Sequence, residues 1–362
     1  MRILLCVLAL LGTALAHKSY EGYQVLQTED LPDVSSVRKL ASLHMMEELD
    51  FWQTPRVGGR ATIMVPKHLV APVKFTLATL GLNPTVLIPN VETIGSSYEG
   101  RPMRVLKLAN GPSAKPAIFF DSAIHAREWM GPPTVMYVIN ELTDNLGANQ
   151  AILDKNDFYF LLVSNPDGYT FTWSDDRLWR KTRSPNSGSN CIGTDPNRNF
   201  DQNWAGGGTG IPCSETYAGS APFSEPETKA ISDFIAATPS ITFAQSVHSY
   251  GQYLLHPYGD STDLPPNVAE LTRVGTDALD ALQAVSGTRY TLGSVANVLY
   301  FAYGSTTDWS YVQQGIDLSY TIELPGGGSA GFNPPPSDIQ GVVTETWEAY
   351  KVFFQNIPNA RR

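Results

Sequence analysis

The chain has 362 residues, 42% of them hydrophobic, enough for one large core with a smaller unit beside it. A formal net charge of −10 and an isoelectric point near 5.1 argue against nucleic acid and anionic membrane surfaces as partners.

Residues 1–16 read as a secretory signal. Arg2 is a short positive start, Ile3 to Leu11 an apolar stretch, and Ala14-Leu15-Ala16 a small-residue cleavage site. No other run is long and apolar enough to span a membrane, so the expected product is secreted, extracellular and monomeric. Of three cysteines, Cys6 leaves with the signal. Cys191 and Cys213 form an even pair in an oxidising compartment, and one disulfide closing a Gly/Ser-rich loop is expected.

From His17 to about Asn90 the pattern is a small α+β one. Tyr20 to Leu26 alternates like a strand, Val37 to Leu49 has apolar residues at helical spacing, and Ala61 to Val65 reads as a strand. Lys67 to Leu80 looks helical despite Pro72, and Thr85 to Ile88 closes with a strand. Past residue 91 strand-like segments alternate with helix-like ones. The strands expected are Val91–Ile94, Arg104–Leu108, Ala117–Phe120, Phe158–Val163, Thr242–Val247 and Leu318–Ile322. The helices expected are Thr134–Leu146, Glu225–Ala237, Val268–Val285 and Val342–Asn356. This alternation predicts an α/β fold: a mixed, mostly parallel twisted sheet with helices on both faces, preceded by the small α+β unit. The long polar loop from Ser184 to Ser220 is large enough to be functional.

The run Ile118 to Trp129 passes from apolar and β-branched residues into a polar turn holding His125, Arg127 and Glu128. An imidazole and a carboxylate three apart after a strand can point at one centre, as two of three protein ligands of a catalytic zinc. That spacing alone is weak, and a solvated surface turn is its ordinary explanation. A second histidine, His248, stands at the end of another expected strand and completes a two-His, one-Glu set with an open fourth position. Hydrolysis also needs a carboxylate base that is not a ligand, and Glu323 ends a further strand. Arginines recur at Arg127, Arg177, Arg180 and Arg198. Any one alone is better read as a solvated charge; together they suit a carboxylate-bearing substrate or an oxyanion.

These stretches, with Asn165-Pro166-Asp167-Gly168-Tyr169, Arg177 to Arg183, Asn197-Arg198-Asn199, Cys213 to Tyr217, His248-Ser249-Tyr250 and Asp308-Trp309-Ser310-Tyr311, resemble the zinc carboxypeptidase A/B family in order and spacing. The likeness runs from about residue 91 to the C-terminus, and residues 20–89 resemble that family's activation domain. The resemblance implies a domain plan of 1–16 signal, 17–90 activation domain and 91–362 catalytic domain. It implies a zymogen whose substrates are peptide C-termini, an activating protease as a possible partner, and one zinc per chain. His125, Glu128 and His248 would bind the zinc, with Asp195 orienting His125. Glu323 would be the general base, and Arg180 would polarise the scissile carbonyl and steady the oxyanion. Asn197, Arg198 and Tyr300 would grip the terminal carboxylate, while Arg127 and Tyr250 would line neighbouring subsites. From the residues alone, Tyr300 reads better as a packed aromatic. The family's specificity position matches Thr307, whose uncharged side chain implies neutral, A-type specificity; a slip of one residue would place Asp308 there and reverse this.

The chain departs from the family pattern at its junction. Ile88-Pro89-Asn90 runs straight into Val91 to Pro102, which resembles the first enzyme strand and its turn, so the connecting segment and the enzyme's first helix are missing. No Lys or Arg lies between Lys74 and Arg101, which removes the usual tryptic site. Loss of that helix should leave apolar sheet surface uncovered. The glycine-rich run after Glu323, Pro325 to Gly328, is expected to be mobile. Two rival readings remain: a silent or prodomain-inhibited form that only binds zinc and peptide C-termini, and a zinc hydrolase for another carboxylate-bearing substrate.

Overall fold

The computed structural model describes residues 22–46, 48–51, 55–88, 90–109, 115–206, 210–328 and 331–362. The expected signal segment, with Cys6 and Tyr20, lies outside the described residues.

The first elements are β1 (Gln24–Gln27), α1 (Val34–His44), β2 (Asp50–Phe51), β3 (Thr62–Val65), α2 (Val70–Thr79) and β4 (Thr85–Ile88). Their strands form an antiparallel sheet in the order β2-β3-β1-β4. Leu26, Leu40, Ile63, Val65, Val73 and Leu77 close a small core between this sheet and its two helices. The helix expected at Lys67 opens as a short 3-10 turn, Lys67–Leu69. Pro72 then falls in the first turn of α2, where a missing N–H costs no hydrogen bond.

The remainder is built on β5 (Asn90–Ser96), β6 (Pro102–Leu108), β7 (Ala117–Ser122), α3 (Gly131–Asp144), α4 (Leu146–Lys155), β8 (Asp157–Leu161) and α5 (Pro166–Ser174). It continues with α6 (Pro226–Ala237), β9 (Ile241–Ser249), β10 (Tyr253–His256), α7 (Val268–Ser286), β11 (Thr291–Ser294), α8 (Val295–Val298), α9 (Thr306–Val312), β12 (Leu318–Leu324) and α10 (Pro336–Gln355). Eight strands form one mixed sheet in the order β11-β10-β12-β9-β7-β8-β6-β5. Its centre, β12-β9-β7-β8, is parallel throughout, and antiparallel pairings flank it.

Strands in that centre are covered on both faces, so they read as near-continuous apolar runs. Alternate side chains part to opposite layers. Ile118 and Phe120 join one core with α3, α7 and α10, through Val135, Leu271, Val274, Tyr350 and Phe353. Ala117 and Phe119 join the other, with Ile231, Phe234 and Ile235 of α6 and Trp309 of α9. Phe120 stacks on Phe160 at 5.3 Å between ring centres and meets the edge of Tyr350 at 5.2 Å. Burying one such ring contributes about 1.5–3 kcal/mol. In α3, Val135, Val138 and Leu142 recur on one face, and Pro132 and Pro133 occupy the first turn.

At the β5–β6 edge the first sheet packs directly on the larger one. Val91 of β5 and Leu106 of β6 pack against Val25 and Met64 of the first sheet, leaving Val91 5% exposed. The small unit supplies cover to the edge strands directly.

Candidate metal centre and active site

Because β7, β9 and β12 are parallel neighbours, their carboxyl ends open along one edge of the sheet. Beyond β7, Ala123 takes φ 50°, in the left-handed region that side-chain-bearing residues seldom enter. The next turn is closed by Glu128 N donating to His125 O at 3.2 Å, and it directs His125 and Glu128 to one point. His248 lies near the end of β9, and Glu323 stands opposite it in register on β12.

His125 Nδ1 is 2.7 Å from Glu128 Oε1, His248 Nδ1 is 2.9 Å from Glu128 Oε2, and the two Nδ1 atoms are 3.2 Å apart. All three residues are buried. Ligand atoms around a tetrahedral zinc with 2.0–2.1 Å bonds lie about 3.3 Å apart, close to this spacing. The far ring nitrogens are occupied: His125 Nε2 meets Asp195 Oδ1 at 3.1 Å and His248 Nε2 meets Ser246 Oγ at 3.0 Å. Two imidazoles and a carboxylate, all buried, face one another at hydrogen-bond distance or a little more, an arrangement suited to sharing a cation. Two imidazoles and one carboxylate fit zinc. Among the described residues, this is the one group of three such side chains that could hold a metal ion.

Asp195 is fully buried and uses both oxygens. Oδ1 accepts from His125 Nε2 and from Asn197 N at 3.0 Å; Oδ2 accepts from Arg180 Nε at 3.1 Å and Nη2 at 2.8 Å. Burial opposes its charge, yet Arg180, His125 and Arg198 together hold the carboxyl well below the usual range. Glu128 behaves alike: burial raises it, but the two facing imidazoles outweigh burial and lower it. Glu323 moves the other way, pushed up to about 8, chiefly by desolvation and next by the Glu128 charge, with His248, Arg180 and Arg198 opposing.

A small cleft beside the centre is lined by His125, Arg180, Asn197, Arg198, Tyr300, Thr307 and Glu323, seven residues singled out in the sequence. Leu255, Val295, Leu299, Ala302, Ser305 and Thr321 line it too. Thr306 N and Oγ1 donate to Asn197 Oδ1 at 2.9 and 3.2 Å, leaving the Asn197 amide nitrogen to the cleft. Arg198 Nη1 donates to Asn197 O at 2.7 Å and Nη2 to Tyr300 Oη at 3.5 Å. Tyr300 is 56% exposed, which removes the packed-core explanation of that residue. Thr307 Oγ1 lies 2.6 Å from Thr321 Oγ1, whereas Asp308 is buried elsewhere and accepts from Gly259 N at 2.7 Å.

The remaining expected residues surround the cleft. Arg127 stacks on Phe332 at 4.5 Å and donates to Glu215 Oε2 at 3.2 Å. Arg177 stacks on Trp129 at 3.7 Å and donates to Phe332 O at 2.6 Å, so it braces the rim. Tyr250 is half-exposed and meets Phe332 edge-on. The glycine-rich run expected to be mobile is a hydrogen-bonded turn where described: Gly327 N donates to Gly331 O and Asn333 N to Gly327 O. Gly331, at φ 72°, and Gly326 are bare because a Cβ at either would strike the Tyr250 ring. Cys191 and Cys213 are bonded, with Cα atoms 5.1 Å apart.

Sequence reasoning missed the apolar wall, because β10 and α8, which carry Leu255 and Val295, are only four residues each. It also missed the work of Asn165. That side chain accepts from Gly168 N at 2.9 Å to cap α5 and donates to Lys181 O at 2.9 Å and Ile124 O at 3.3 Å, tying three site segments together.

Fold and site together define a metal-binding centre with an adjoining carboxyl group and cationic cleft at the carboxyl edge of an α/β sheet. A family profile described as zinc carboxypeptidase matches residues 87–349, and one described as carboxypeptidase activation peptide matches residues 30–94. Carboxypeptidase A1 of Sus scrofa is 36% identical over 415 aligned positions, covering 98% of this chain and 99% of that protein. Carboxypeptidase B of Astacus astacus is 45% identical over 269 positions, covering 73% and 88%. Bovine thrombin-activatable fibrinolysis inhibitor, solved with tick carboxypeptidase inhibitor, superposes with a TM-score of 0.71 at 36% identity, over 80% of this chain and 95% of that one. Carboxypeptidase A from Helicoverpa armigera gives 0.69 at 27% identity, over 93% and 97%.

The chain belongs to the zinc carboxypeptidase family. It is a zinc-dependent hydrolase that carries the family's activation peptide, the organisation of a zymogen. The two family matches overlap at residues 87–94, and the alignment to the porcine relative is 53 positions longer than the 362-residue chain.

Proposed function

We propose that this chain is a secreted carboxypeptidase that removes neutral, aromatic or aliphatic residues from peptide C-termini. His125, Glu128 and His248 hold the zinc, and Asp195 orients His125. Zinc, when bound, lowers the pKa of water and polarises a carbonyl. Glu323 takes a proton from the attacking water and delivers it to the leaving amine as the C–N bond breaks. Burial, then the Glu128 charge, raises its carboxyl, the direction that suits a group that must take up a proton. Arg180, fixed by Asp195, stabilises the oxyanion. Asn197, Arg198 and Tyr300 bind the terminal carboxylate, which confines cleavage to the last residue. Arg127 and Tyr250 contact residues further along the peptide.

The observation that carries the neutral preference is the wall of the cleft. Thr307, Thr321, Leu255, Val295, Leu299 and Ala302 bear no charge, and Glu323 is the one acidic side chain among its described lining residues. Away from Glu323, a Lys or Arg side chain would be desolvated against that uncharged wall without a partner.

The rival reading, a form held shut by its uncut N-terminal unit, draws on the junction. Any processing between residues 75 and 100 needs a protease that does not read Lys or Arg, since that stretch has neither. Against it, every described residue lining the cleft lies beyond residue 124. The test is release of the last residue from blocked dipeptides ending in Phe, Lys or Phe-amide, with a chelator and with zinc restored. Release of Phe alone, lost on chelation and regained with zinc, is expected. Faster release of Lys overturns the specificity, and cleavage of the amide overturns carboxylate recognition.

A further inference from the structure

The two histidines of the centre are held by unlike partners. His125 leans on Asp195, a carboxylate fixed by Arg180. His248 leans on a hydroxyl, Ser246 Oγ, 3.0 Å from its Nε2. That hydroxyl in turn donates to Asp121 Oδ1 at 2.8 Å. Ser246 and Asp121 are register partners on β9 and β7, and both are buried, with 4% and 2% of their surface exposed. Their side chains form a buried hydrogen-bonded relay that ends on the His248 ring.

From this geometry we infer that Asp121 and Ser246 are positioning residues that set the tautomer of His248, an inference that rests on reading His248 as a zinc ligand. A serine hydroxyl has one hydrogen. Directed to the Asp121 carboxylate, it leaves only a lone pair for His248, so Nε2 must carry the ring hydrogen. Nδ1 is then bare and faces Glu128 and the other histidine, in the form a metal requires. The geometry itself makes Ser246 the donor and Asp121 the acceptor of this bond. An amide at position 121 could turn its NH2 toward Ser246. The serine would then be free to donate to Nε2, which places the histidine hydrogen on Nδ1, where zinc must bind.

The test measures zinc release into excess chelator from the purified full chain loaded with zinc. The variants are Ser246→Ala, Asp121→Asn and the control Ser122→Ala. Ser122 is equally buried one residue along β7, but its hydroxyl donates to Leu162 O, away from His248. Ser246→Ala and Asp121→Asn should each speed release about tenfold, and Ser122→Ala should release at the wild-type rate. With cobalt(II) in place of zinc, the visible absorption of the two test variants should shift while the control matches wild type. Wild-type release from Ser246→Ala, or equal acceleration in Ser122→Ala, overturns the inference. A wild-type chain that retains no zinc overturns the ligand assignment beneath it.

Discussion

Glu323 and His248 are direct register partners on adjacent parallel strands. One strand pairing therefore sets a candidate base against a candidate ligand, without any loop between them. The base position inherits the rigidity of the sheet centre, where Ile322 and Val247 are fully buried.

Thr307 tests the specificity reading. It lines the cleft with its hydroxyl 2.6 Å from that of Thr321. Thr307→Asp places a carboxylate where a terminal Lys or Arg side chain would end. A charge-assisted pair contributes about 1.5–3 kcal/mol, so the ratio of kcat/KM for Lys-ended over Phe-ended substrates should rise about ten- to a hundredfold. An unchanged ratio would show that the pocket floor lies elsewhere.

Asp195 joins His125 to Arg180 through its two oxygens. Asp195→Asn keeps the shape but removes the charge that both partners face. Zinc affinity, measured by competition with a chelating dye, should fall about ten- to a hundredfold. Turnover at saturating zinc should fall as well, because Arg180 loses its ion pair. Normal zinc affinity in this variant would remove Asp195 from the centre.

Glu227 gives a pH prediction away from the metal. It is fully buried; Oε1 accepts from Tyr98 N at 3.0 Å, and Oε2 has no hydrogen-bond partner among the described residues. Burial, with Glu225 and Asp167 adding, pushes its carboxyl up to about 7 from 4.5. The folded chain therefore binds this proton more tightly than the unfolded chain, so this residue's contribution to stability falls as pH rises from about 4.5 to 7 and levels off above. Glu227→Gln should remove that slope. Its unfolding free energy, from denaturant titration, should match wild type near pH 4.5 and exceed it at pH 8, by up to about 3 kcal/mol. A constant difference across that range contradicts the shift.

The central strands and the clustering of His125, Glu128 and His248 were legible because parallel strands are apolar and end where polar residues begin. That same rule misplaced their ends. The expected strand at 117–120 stops before Asp121 and Ser122, yet β7 includes both, because their polar groups are satisfied inside by Ser246 and Leu162. β9 likewise runs through His248 to Ser249 rather than stopping at Val247. Helix α9, Thr306–Val312, is rich in β-branched and aromatic residues and has weak helical propensity. It forms because Ser305 Oγ caps it by accepting from Asp308 N at 3.1 Å and because its residues through Tyr311 are buried. α5 was missed for a similar reason: its start, Pro166-Asp167-Gly168, reads as a turn until the Asn165 cap is seen.

The most direct measurement compares wild type and Glu323→Gln for zinc content and for hydrolysis of a blocked dipeptide ending in Phe. The glutamine keeps the size of the side chain but cannot take a proton. Both proteins should hold one zinc, and kcat should fall in the variant by at least about a hundredfold. Undiminished turnover would mean that Glu323 is not the base. Loss of the metal would mean that Glu323 belongs to the ligand set, in place of the separate base argued from its strand position.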